Sequence, residues 1–176
     1  MIQAIETILI CLVAQAAVTD LAVRKIPNVL VLSGLLLALV LYLLAGPRWA
    51  PVTQWMAGSL AGFFLFLPWY LVRGMAAGDV KLMAMVGAFT GPLGALQVAV
   101  ATWMIGGVMG LLMLLWSGRW REGWRNLCTL CRPLLWRAVG MPLVPEPLPP
   151  GASVGGMPYG VAIALATVAF VASTHR

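Results

Sequence analysis

Asp20 and Asp79 are the only aspartates in a chain of 176 residues, and each stands where a long apolar run meets a short loop. The remaining acids are Glu6 near the start of the chain, Glu122 in a basic Trp-rich segment and Glu146 among prolines. A carboxylate carried to membrane depth costs about 2.5 to 3.5 kcal/mol on insertion scales, so an acid retained there is a functional candidate. Two at matching depth can act together. If they approach within a few ångströms, mutual repulsion leaves one carboxyl protonated while the other is ionised. The ionised group can take a proton from a water held between the two, and its partner can hydrogen-bond the oxyanion formed when that water attacks a peptide carbonyl. This is aspartyl proteolysis, which uses no metal, no cofactor and no covalent intermediate.

Each acid also has an ordinary structural role open to it. Asp20 could pair with Arg24 at i,i+4 if its helix ran that far, and Asp79 could cap a helix beginning at Val80. Neither role explains two acids at one depth. Other hydrolytic schemes lack parts: the only histidine is His175, beside the end of the chain, so neither a Ser-His-Asp triad nor a multi-histidine zinc site can be assembled. Cys128 and Cys131 form a lone CxxC, half of a tetrahedral zinc site, and read as apolar packing. With Cys11 inside an apolar run the cysteine count is odd, and nothing calls for an oxidising compartment.

The elements that must position the two acids are written in the composition. Hydrophobic residues make up 62% of the chain and charged residues 9%, with mean hydropathy +0.97, which makes the bilayer the solvent to reason about. The expected fold is all-α: a polytopic transmembrane bundle forming one membrane-embedded domain over residues 1–176, with about six spans near 2–19, 28–46, 54–72, 80–92, 94–116 and 157–173. The fourth is short and broken by Gly91, Pro92 and Gly94, and reads as a helix shielded by its neighbours. Residues 1–10 contain no Lys or Arg and do contain Glu6, so the first run reads as a retained span rather than a signal peptide.

The net charge of +6 does not form a continuous basic surface, which argues against nucleic-acid binding. It reads as topology instead. Nine of the 11 Lys and Arg residues fall after spans one, three and five, leaving only Arg48 and Arg176 on the other side. That bias puts the nine in the cytoplasm and the termini outside.

Residues 117–156 form the long cytoplasmic loop. Trp116, Trp120, Trp124, Leu127 and Cys131 recur at helical steps, with Arg121, Arg125 and Arg132 off the stripe, as an amphipathic helix among anionic headgroups requires. Pro142, Pro145, Pro147, Pro149 and Pro150 then make an extended linker. Gly58 with Gly62, Gly106 with Gly110, and Gly156 with Gly160 are GxxxG pairs that permit close helix approach.

Three segments together resemble the type IV prepilin peptidases, a GxGD family of intramembrane aspartyl proteases. Asp20 followed at fixed distance by Ile26-Pro27-Asn28 is similar to the first catalytic motif, and Gly74 through Gly78-Asp79-Val80-Lys81 to the second. Pro158-Tyr159-Gly160 resembles the element that opens the family's last helix. One position departs: the first glycine of GxGD is Ala76, which fits helical or extended backbone but not a positive φ.

The resemblance implies that Asp20 and Asp79 are catalytic, with Ile26, Pro27, Asn28, Ala76, Gly78, Lys81, Pro158, Tyr159 and Gly160 positioning them. It implies a prepilin or pseudopilin substrate with a short basic leader, cut at the cytoplasmic face of a bacterial inner membrane, and contact with pilus-assembly machinery. Only residues 21–27 separate the first two runs, where larger family members carry a CxxC-containing domain associated with N-methylation. The chain thus resembles the short, protease-only branch serving tight-adherence (Flp-type) pili. Anionic lipid is the expected partner of the basic face. A non-catalytic membrane subunit of a pilus or secretion assembly, or a small transporter using the acids as a proton relay, are the competing readings.

Overall fold

A computed structural model describes residues 2–45, 49–71, 74–117 and 157–174. Among these residues all regular structure is helical: α1 (Ile2–Val23), α2 (Asn28–Ala45), α3 (Trp49–Leu71), α4 (Ala77–Ser117) and α5 (Tyr159–Thr174). The amphipathic helix and proline linker expected between 117 and 156 lie outside the described residues, apart from Ser117.

The runs expected at 80–92 and 94–116 are two parts of α4, interrupted at Gly91, whose φ of 73° and ψ of 177° are not helical. Pro92 has no N–H to continue the hydrogen-bond ladder, so carbonyls near the break need other donors. One finds a donor in α2: Tyr42 donates to the Phe89 carbonyl at 3.1 Å.

Six separate spans are not what the structure supports. Two helical stretches, Gln3–Val23 and Ala77–Trp116, are long and apolar enough to cross a membrane, while Asn28–Leu44 and Tyr159–Thr174 are apolar but shorter. A crossing takes about 20 residues at 1.5 Å each, which the two shorter helices do not reach. In α3 the apolar run is diluted by Thr53, Gln54, Ser59, Pro68 and Tyr70.

Residues 1–107 and 158–176 form one compact unit and residues 108–157 another. In the first unit the opening half of α4 is the central helix. Leu82, Met83, Met85, Val86 and Ala88 are fully buried and Phe89 nearly so, the all-round burial expected of a core helix. Leu9, Val13 and Ala16 of α1, Leu30, Val31 and Ala38 of α2, Phe66 of α3, and Ile163 and Ala166 of α5 complete its core.

Of the GxxxG pairs, Gly58 and Gly62 do bring helices together. A Cβ at Gly58 would strike the Gly87 carbonyl, and one at Gly62 the Met83 carbonyl, so α3 rests directly on the α4 backbone. Gly110 has only the Met157 side chain near it, at 3.5 Å, within the second unit. Gly156 lies outside the described residues.

Candidate active site

Asp20 occupies the last turn of α1. The helix stops three residues later: Arg24 adopts φ 53°, and its N–H closes on the Asp20 carbonyl at 2.9 Å in a left-handed cap. α1 thus ends at Val23, one residue short of Arg24, which lies just beyond the helix. Ile26 and Pro27 carry the chain across to Asn28, the first residue of α2.

Asp79 lies in the first turn of α4, two residues after its start at Ala77. Its own N–H donates to the Ala76 carbonyl at 3.1 Å, and its Oδ2 accepts the Ala76 N–H at 3.2 Å. The geometry is one half of a capping box, in which an acid at the third helical position reaches back to the residue preceding the helix. The cap expected from sequence is thus displaced: the helix begins at Ala77 rather than Val80, and Ala76, with no side-chain acceptor, holds the capping position. Arg24 is the sole non-glycine with positive φ among the described residues, so Ala76 keeps a conformation open to any residue. Gly78 serves a different need: a Cβ there would lie 3.3 Å from Ile26 Cβ, so the two motif segments pack tightly.

The third segment meets Asp20. Gly160 N–H donates to Asp20 Oδ2 at 2.8 Å across 140 positions of sequence. α5 opens after Pro158, with the Val161 N–H turning back to the Pro158 carbonyl at 3.1 Å. A proline at the capping position offers no side-chain acceptor, so the first amides of α5 need one from elsewhere. Asp20 supplies it. Its need for an outside acceptor was a signal present in the sequence that pattern reading did not use.

Asp20 and Asp79 are the only charged side chains buried among the described residues, at 8% and 5% exposure. The two carboxyls lie close enough for their charges to interact. Outside the pair, Lys81 Nζ donates to Asn28 Oδ1 at 3.0 Å, tying the opening of α2 to the opening of α4. The structure thus gathers Asp20, Ile26, Asn28, Ala76, Gly78, Asp79, Lys81 and Gly160 through direct or electrostatic contacts, with Pro27, Pro158 and Tyr159 in the turns between them.

Each aspartate has one oxygen tied to a backbone amide. Such tethering fixes the direction of the carboxyl while leaving its other oxygen for a water or a substrate group. Buried carboxyls so oriented are suited to proton transfer to and from a hydrolytic water.

Residues 7–111, more than half of the chain, match the sequence profile of the type IV leader peptidase family. The matched region contains both aspartates, Ile26-Pro27-Asn28 and Lys81, and ends before Pro158-Tyr159-Gly160. No match was found among curated proteins or among solved structures. With its two helices long and apolar enough to cross a bilayer, the chain belongs to the type IV leader peptidase family, membrane peptidases of the prepilin-processing type.

Proposed function

We propose that this chain is an aspartic-type endopeptidase that removes the leader of type IV prepilins of the Flp class, with Asp20 and Asp79 as its catalytic pair. The supporting observation is the arrangement of two buried aspartates from different helices, each oriented by one backbone amide and close enough to repel each other. In the reaction a water lies between the carboxyls. The ionised one accepts its proton, the oxygen adds to the scissile carbonyl, and the protonated partner hydrogen-bonds the developing oxyanion. Collapse of the tetrahedral species then breaks the C–N bond, with the departing amine taking a proton from the pair.

The scissile segment must leave helical geometry before its carbonyl can be attacked, and the loops around Pro27, Gly78 and Pro158 supply irregular backbone where that can happen. The site is assigned to the cytoplasmic face of a bacterial inner membrane on the basic residues beside it, Arg24, Lys25 and Lys81; α1 ends and α5 begins there, so their far ends point outside. The short connection between α1 and α2 leaves no room for a methyltransferase domain of the kind found in larger relatives.

The test is cleavage of a synthetic prepilin by purified protein in detergent, read as the mass of the released leader. Asp20→Asn and Asp79→Asn should each abolish turnover while the protein stays folded. The double variant should be scarcely worse than either single one, because the carboxyls act as a unit. Residual activity above about a tenth of wild type in a folded single variant would remove that residue from the chemistry, since acid–base roles are worth roughly 10²- to 10⁴-fold. A folded wild type with no cleavage would favour the scaffold or proton-relay reading.

A further inference from the structure

At the end of the bundle away from the aspartates, α1, α4 and α5 line a cavity of about 190 Å³. Glu6 precedes Asp20 by 14 residues, Thr90 follows Asp79 by 11 and Phe170 follows Gly160 by ten. At 1.5 Å per helical residue, each helix puts the cavity about 15–20 Å from the two acids. The space exceeds the roughly 150 Å³ that suffices to take up benzene.

The polar part of the lining has a single chemistry. Glu6 brings a carboxylate with about four lone-pair sites, so it can serve a ligand alongside the interaction it already makes within the fold. Thr90 and Thr174 bring hydroxyls whose hydrogens are committed. Thr90 Oγ1 donates to the Val86 carbonyl at 3.0 Å, with the Gly91 carbonyl at 3.5 Å, and Thr174 Oγ1 donates to the Phe170 carbonyl at 3.1 Å. Each oxygen then has only lone pairs to offer. Among the described residues the lining therefore presents acceptors and no uncommitted side-chain donor. Phe89 and Phe170 add aromatic rings, whose faces attract cations, and the remaining wall is aliphatic.

A negative charge, hydroxyl lone pairs and aromatic rings together call for a cation with several N–H donors and an apolar body. We propose that this cavity binds a primary ammonium carried on a short apolar arm, with Glu6 and the two threonine oxygens as its acceptors and the arm against Phe89 and Phe170. A carboxylate or phosphate finds no donor there, and an alcohol brings neither charge nor a second donor. Two sources offer this chemistry: the ethanolamine head of a phospholipid in the surrounding bilayer, and a free alkylamine from the aqueous phase. Since the cavity is built by the three helices that carry Asp20, Asp79 and Gly160, a ligand bridging them stabilises the folded bundle.

The test is thermal unfolding of the whole chain in a neutral detergent at neutral pH, with n-hexylamine, 1-hexanol or hexanoate added at equal concentration. Hexylamine should raise the unfolding temperature saturably, by about 3 °C or more at ten times its dissociation constant, and the other two should leave it within about 1 °C. Glu6→Gln keeps the size of the side chain and loses the charge, and should weaken hexylamine binding at least about tenfold. Ile5→Trp fills the cavity and should remove the shift; if that variant does not fold, Glu6→Gln decides. The source is read from lipids in the micelle. Lysophosphatidylethanolamine raising the unfolding temperature where lysophosphatidylcholine, whose quaternary nitrogen carries no N–H, does not would identify the lipid head, and equal effects of the two would leave the free amine.

Equal shifts from hexylamine and hexanol in the wild type would overturn the inference, as would a hexylamine shift that never saturates or undiminished binding by folded Glu6→Gln. The readout is unfolding, so the outcome is independent of whether the protein cleaves prepilin.

Discussion

At the scale of single residues, the two aspartates combine a structural contact with the proposed chemistry, and substitutions can separate them. Asparagine retains an oxygen that can accept the Ala76 or Gly160 amide, whereas alanine leaves that amide without its partner. Asp79→Ala and Asp20→Ala should therefore unfold more readily than the corresponding asparagine variants, by about 1 kcal/mol in each case, the usual worth of one such hydrogen bond. Thermal or denaturant unfolding in detergent measures the difference. Equal stability of the alanine and asparagine forms would mean that the tethers contribute nothing. Activity should be absent from both, because neither substitute can ionise. Lower stability with activity following the folded fraction would mark the acids as structural.

At the scale of elements, helix contacts decide where the acids can go. α3 and α4 touch through Gly58, Gly62 and Gly87, where any added methyl meets backbone rather than a yielding side chain. Gly58→Ala and Gly62→Ala should each cost about 1–3 kcal/mol, as overpacking does. Gly107 has nothing within 4 Å of its Cβ position, so Gly107→Ala should be neutral or stabilise by up to about 1 kcal/mol through helix propensity alone. Similar unfolding curves for all three variants would contradict the packing.

The Lys81–Asn28 hydrogen bond makes a second element-level link, between α2 and α4. A double-mutant cycle with Lys81→Met and Asn28→Ala should return a coupling of about 0.5–1.5 kcal/mol. Additive losses would show that the two side chains do not support one another. The link also explains how Ile26-Pro27-Asn28 stays beside the Asp79 turn: Ile26 packs on Gly78 and Asn28 binds Lys81, fixing the segment at both ends.

At the scale of the whole molecule, the question is which side of the membrane sees the site. After Cys11, Cys128 and Cys131 are replaced, Lys25→Cys should react with an impermeant thiol reagent only from the cytoplasmic side, and Ser173→Cys only from the outside; both positions are exposed. Labelling of residue 25 from outside would reverse the proposed orientation and move the cleavage site with it. The Trp-rich segment carries a separate expectation. Trp120→Ser with Trp124→Ser should weaken membrane association, since two interfacial aromatics are lost, while folded variant protein still cleaves prepilin in detergent. Loss of turnover in that folded variant would instead put the segment in contact with substrate.

Much of the site was legible in the sequence because its ingredients are rare in an apolar chain. Only two aspartates exist, and each borders an apolar run beside proline or glycine, so their candidacy followed from the cost of placing charge there. Helical content was legible for the same reason: unbroken apolar runs leave backbone groups no partner but their own helix. The number of crossings was not, since local composition cannot say whether a run ends at Gly91 or kinks through it, and that depended on Tyr42 of α2 supplying a donor from the surrounding fold. The role of each acid within its turn was also closed to pattern reading. Asp79 looked like a cap for Val80 but reaches back to Ala76, and the Asp20 carboxyl takes an amide 140 residues away that no local spacing indicates. Spacing along a chain fixes neighbours within one helix, whereas the partner of Asp20 is chosen by how α1 and α5 pack, and only the tertiary structure carries that choice.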